Sequence, residues 1–134
     1  MPNADLVLID TSVWIAYFRE TEPKLTVTLD RLLHLGQVAT AAIILAELIH
    51  GAHSPAEGRK IQTRFQPLHA ISSDDRHWDA AGLLAARVRR RGHTVNLTDC
   101  YIAALAKAAD AAVYTLDKHF SWIAAADGCA LYVP

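Results

Sequence analysis

Short apolar runs alternate with amphipathic stretches along the whole chain. Leu6, Val7, Leu8 and Ile9 form an unbroken apolar run, which predicts a strand buried on both faces. Val13, Trp14, Ile15, Tyr17 and Phe18 predict a helix after it, capped by Thr11 or Ser12 and ended by the polar residues 19–23. Leu25, Leu29, Leu32 and Leu33 give helical spacing within 24–35, and Gly36 suits the position beyond the last turn. Residues 37–39 predict a short strand. Thr40 opens a helix over 41–52, and Pro55 starts a polar, exposed helix over 55–65. A weak strand at 68–71 precedes a long helix over 74–91, capped by Ser72 or Ser73 and closed by Gly92. Thr98 caps a helix over 99–109. A strand at 112–115, a short helix at 118–125 and a strand at 130–133 complete the chain. This alternation predicts an α/β fold, with a parallel sheet covered by helices on both faces.

The length of 134 residues predicts one domain, 1–134, with a core large enough to need no staples. Net charge is -1, so no global basic field draws the protein to nucleic acid. Such binding would have to come from a local patch or a bound metal. Cys100 and Cys129 have neither metal-type nor redox-type spacing. No leader and no spanning apolar run is read, so the expectation is a cytoplasmic protein with reduced thiols and no membrane partner.

Four acids carry the candidate chemistry. Asp10 sits where the first strand leaves the sheet, and ligands of open α/β folds bind beyond the carboxyl ends of strands. It also reads as a turn or cap residue. Glu47 lies in residues 41–49, which are otherwise apolar on nearly every side, so that helix is expected to be buried. A lone carboxylate there must be protonated, paired with a base from elsewhere, or bound to a metal. Asp99 opens a very apolar helix, where a first-turn acid is also routine. Asp117 follows an apolar strand as Asp10 does, or caps the helix after it. If those two strands are neighbours, their acids flank one crevice.

Carboxylates packed in one cleft raise each other's pKa, and a divalent cation relieves that repulsion. An all-oxygen donor set favours Mg²⁺ or Mn²⁺, completed by water and substrate phosphate. The chemistry that follows is metal-assisted phosphodiester hydrolysis.

The segments around these acids resemble the four signature blocks of PIN-domain ribonucleases. They are residues 8–15 around Asp10, 46–52 around Glu47, 98–104 around Asp99 and 114–120 around Asp117. Length and block spacing are most similar to the VapC-type toxins of bacterial toxin–antitoxin pairs. The resemblance implies a PIN-like three-layer α/β/α fold with a central, mostly parallel five-stranded sheet. It implies that Asp10, Glu47, Asp99 and Asp117 form a catalytic metal site, with Ser12 and Thr115 as auxiliary polar groups. It also implies Mg²⁺- or Mn²⁺-dependent cleavage of an RNA substrate, a homodimer, and a cognate VapB-like antitoxin. A PIN nuclease of RNA maturation or decay, and a non-catalytic PIN-like binding module, are the alternatives.

Arg87, Arg89, Arg90 and Arg91, with nearby His93, form the densest basic cluster. It reads as a contact for RNA phosphate or an acidic partner, or as a solvated helix end matched to its dipole. Ser12 stands where phosphatases of the haloacid-dehalogenase type need a second acid, which rejects that chemistry.

Overall fold

The computed structural model describes residues 5–134. In chain order the elements are β1 (Val7–Ile9), α1 (Thr11–Arg19), α2 (Pro23–His34), β2 (Val38–Thr40), α3 (Ala42–His50) and α4 (Pro55–Phe65). They continue with β3 (His69–Ala70), α5 (Asp75–Arg90), α6 (Leu97–Ala108), β4 (Ala112–Tyr114), α7 (Phe120–Ala125) and β5 (Ala130–Leu131).

The strands form one sheet in the order β3-β2-β1-β4-β5, and every pairing is parallel. β1 is central, and its apolar run is the reason: Val7, Leu8 and Ile9 are all buried. The edge strands β3 and β5 are two residues each and exposed. Short edges leave little unpaired backbone for another chain to join.

Strand order decides the layers. The chain steps outward from β1 to β2 to β3, then crosses back over β1 to β4 and on to β5. Parallel crossovers are right-handed, so the reversal of direction sends the later helices to the opposite face. α1 to α4 therefore cover one face, and α5 to α7 the other. The packing agrees: α1 touches α2 and α3, α3 touches α4, and α5, α6 and α7 pack on one another.

Several helix starts differ from the expectation. Thr11 and Ser12 lie inside α1, and Asp10 holds the N-cap position without making a side-chain cap bond. Asp74, rather than Ser72 or Ser73, caps α5, accepting from the Arg76 N–H while His77 Nδ1 accepts from the Asp74 N–H. Asn96, rather than Thr98, occupies the cap of α6. Thr40 closes β2, where its side chain is buried, and Ala41 caps α3. Gly36 does sit just beyond α2, at φ 69°.

The larger correction concerns α3. Ile44 and Leu48 are buried, but Ala42, Ala46, Glu47 and His50 are exposed. α3 belongs to an outer layer and packs on α1 and α4 from one side only. Its solvent side is made of small alanines around Glu47, so apolar sequence did not require complete burial.

Candidate functional site

The site forms where the chain reverses direction across the sheet. β1 and β4 are neighbours, with Ile9 opposite Tyr114. The chain leaves β1 toward one edge and β4 toward the other, which opens a crevice between their carboxyl ends. Asp10 stands at the first of these ends and Asp117 just beyond the second. Because the two strands are neighbours, the two acids stand at adjacent strand ends.

Asp10 is 6% exposed and is tied down on all sides. Its backbone N–H donates to the Tyr114 carbonyl at 2.9 Å. Its Oδ2 accepts from Ser12 Oγ at 2.7 Å and from Thr115 Oγ1 at 2.8 Å. Each hydroxyl also accepts from the loop after β4: the Leu116 N–H donates to Ser12 Oγ and the Asp117 N–H to Thr115 Oγ1, both at 3.0 Å. Both hydroxyl protons are committed to Asp10, so the bonds share one polarity, from loop amide through hydroxyl to carboxylate. Among the described residues, no side chain donates to Asp10 Oδ1, which is left for a ligand.

The other acids arrive from three separate elements. Glu47 comes from the exposed side of α3, with Thr11 Oγ1 donating to its Oε1 at 2.9 Å. Asp117 Oδ1 accepts from the His119 N–H at 2.9 Å and lies 3.3 Å from His119 Nδ1. Asp99 enters from the first turn of α6 and is half-buried. Burial pushes its carboxyl up to about 6, and the charges of Asp10, Asp117 and Glu47 push the same way, while His119 opposes them. All three other acids are felt at Asp99, so the four share one electrostatic neighbourhood.

That neighbourhood suits a hard divalent cation. The donors are carboxylate oxygens, one acid is buried with a free oxygen, and another is pushed toward protonation by burial and by its neighbours. Among the described residues no group of three or more His, Cys, Asp or Glu side chains is placed to hold a metal ion. Mg²⁺ does not need one, because it keeps several waters and takes one or two carboxylates plus substrate oxygens.

The basic cluster stands apart. Arg87 Nε donates to the Ala126 carbonyl at 3.4 Å, which ties α5 to the end of α7. Arg89, Arg90 and Arg91 are exposed, and no hydrogen bond joins them to the acids among the described residues. The sequence reading missed Thr11 and His119 as partners of the acids. His119 was legible as a base two positions from Asp117; Thr11 had no local signal, because Glu47 lies 36 positions away.

The PIN domain profile matches residues 7–126, a span that contains all four acids. The chain belongs to the PIN domain family. This PIN domain is 33% identical over 123 residues to Ribonuclease VapC11 of Mycobacterium tuberculosis, covering 89% of this chain and 92% of that protein. A VapC ribonuclease of Mycobacterium bovis matches with the same identity and coverage. The fold is similar to that in the crystal structure of VapBC2 from Rickettsia felis bound to a DNA fragment from their promoter. There the TM-score is 0.76 at 19% identity, covering 95% of this chain and 97% of that one. The structure of VapBC-1 from nontypeable Haemophilus influenzae gives a TM-score of 0.74 at 19% identity, over 95% of this chain and 96% of that one. No helix among the described residues of this PIN domain is long and apolar enough to cross a membrane.

Proposed function

We propose that this PIN domain is a metal-dependent endoribonuclease, the toxin of a type II toxin–antitoxin pair. The observation that carries the reading is the gathering of Asp10, Glu47, Asp99 and Asp117 at the sheet's reversal point, with Asp99 pushed up by burial and, after it, by the charges of the other three. The VapC ribonuclease names of its relatives point to the same chemistry. Asp10, Glu47, Asp99 and Asp117 would together form the acidic site for Mg²⁺ or Mn²⁺, with one or two of them binding the ion directly and water and substrate oxygens completing its shell. Such an ion, when bound, supplies an activated water and neutralises charge on a phosphodiester.

The chain's own groups do the rest. Ser12 and Thr115 hold Asp10 in one orientation, so its free oxygen needs no reorganisation when substrate arrives. His119 pins Asp117, and Thr11 restrains the otherwise free side chain of Glu47. Hydrolysis at such a site needs no Ser/His nucleophile pair. A VapB-like antitoxin, a homodimeric state and a cytoplasmic location belong to the same proposal. The VapBC complexes among the similar folds support the antitoxin.

The test uses purified, partner-free protein with total cellular RNA and Mg²⁺ or Mn²⁺. Discrete fragments should form, and should vanish with EDTA or with Asp99→Asn. Near-wild-type turnover by Asp99→Asn at saturating Mg²⁺ would refute the assignment. A short upstream reading frame encoding a DNA-binding protein separates a toxin from an RNA-processing nuclease.

A further inference from the structure

Beside the acids lies a stack of rings, of which the hydrolytic reading uses only the contact of His119 with Asp117. Trp122 of α7 is parallel to His93, with ring centroids 4.1 Å apart and planes 8° apart. It is also parallel to His119, at 5.1 Å and 19°. His119 in turn bonds Asp117 through its backbone N–H and holds Nδ1 beside the carboxylate. The stack therefore runs from Asp117 to His93, which follows the end of α5, where Arg89, Arg90 and the cap residue Arg91 are exposed.

We propose that the His93–Trp122–His119 stack is a nucleobase platform, taking an unpaired base of the RNA next to the bond to be cut. The inference rests on the ribonuclease reading and adds to it a base-stacking surface beside Asp117. His119 is the accessible member, with 54% of its side chain exposed, yet it is held at its edge by Asp117 and along its face by Trp122. An exposed ring fixed in this way has already lost its rotamer freedom, so a ligand that stacks on it meets a smaller entropy cost. Unpaired bases stack on aromatic and imidazole rings, whereas bases inside an A-form duplex are already stacked on one another. The exposed arginines at the end of α5, two to four positions before His93, suit the phosphates of the same strand. Arg87 supports the arrangement indirectly, because its bond to the Ala126 carbonyl holds α5 against α7.

The experiment measures binding by fluorescence anisotropy in Mg²⁺, with Asp99→Asn present throughout so that no strand is cut. The probes are a single-stranded adenosine oligoribonucleotide, the same backbone with abasic riboses, and an RNA duplex. His119→Leu should weaken adenosine-oligomer binding roughly tenfold, within the range of one lost stacked base. The abasic strand should bind both proteins alike, the duplex should compete poorly, and His119→Phe should restore affinity. Equal losses on abasic and base-bearing strands, no rescue by Phe, or no preference over duplex would each overturn the proposal. Base-dependent binding without RNA cleavage by the unsubstituted protein would keep the platform and sink the nuclease reading. Cleavage with affinity unaltered by His119→Leu would do the reverse.

Discussion

Thr115 Oγ1 donates a 2.8 Å hydrogen bond to Asp10 Oδ2 across 105 positions of sequence. The bond joins the carboxyl ends of the two central strands, and its acceptor is buried. Hydrogen bonds to charged groups contribute about 1.5–3 kcal/mol. Thr115→Val removes this donor and also the acceptor for the Asp117 N–H. Stability to urea should fall by about 2 kcal/mol, and RNA turnover should fall with it. Thr115→Ser keeps the hydroxyl and should stay near wild type on both measures. A Val variant as stable and active as wild type would remove the hydroxyl from the account.

Asp99 sets a pH dependence of definite sign. Its folded pKa, about 6, lies above its ordinary value of 3.8. The folded state therefore binds this proton more tightly than the unfolded chain does. The stabilising contribution is full below about pH 4 and is lost as pH rises through 6. In chelator, wild type should lose stability relative to Asp99→Asn between pH 4 and 7, by about 1 kcal/mol after solvent screening. Saturating Mg²⁺ at pH 7 should raise the melting temperature of wild type and leave Asp99→Asn nearly unmoved. Parallel melting curves for the two proteins across pH and metal would contradict the shared acidic site.

The exposed arginines should act through their charge on phosphate alone. Arg90→Glu combined with Arg91→Glu should weaken RNA binding for every sequence tested. The log–log salt slope should become shallower by about 0.7 for each phosphate that is no longer neutralised. Binding titrations from low to high salt check this. An unchanged slope would return these residues to the role of a solvated helix end.

Gly128 is a steric requirement rather than a conformational one. A Cβ built there would lie 2.6 Å from Ile123 Cγ2, 2.7 Å from the Ile123 carbonyl oxygen and 2.8 Å from Leu84 Cδ1. The carbonyl cannot yield without moving the end of α7. Gly128→Ala should cost about 1–3 kcal/mol, as overpacking does. It should also disturb the packing of α7 on α5. Thermal melting of the purified variant checks the cost, and an unshifted transition would show that the end of α7 yields freely. Gly36, with open space around its Cβ position and a φ of 69°, is constrained only by its backbone.

The apolar runs and the acids at their ends are local chemistry, which is why both were legible in the chain. A strand buried on both faces must be apolar without alternation, as Val7–Ile9 is, and an acid after it falls outside the sheet. Alternation with helices was enough to require parallel pairing. Which strands are neighbours was decided in three dimensions, and with it the meeting of Asp10 and Asp117. The choice of caps followed the same logic: Ser12 had a local backbone role open to it, but a buried carboxylate nearby was the stronger acceptor. Glu47 was read as buried because a helix's composition does not reveal how many neighbours it has, and α3 has them on one side only. The ring stack of His93, Trp122 and His119 joins the end of one helix to the start of another, so no periodicity in either segment foretold it. Sequence determines what each position can do; packing determines which partner it meets, because contact energies depend on distances that only the folded chain defines.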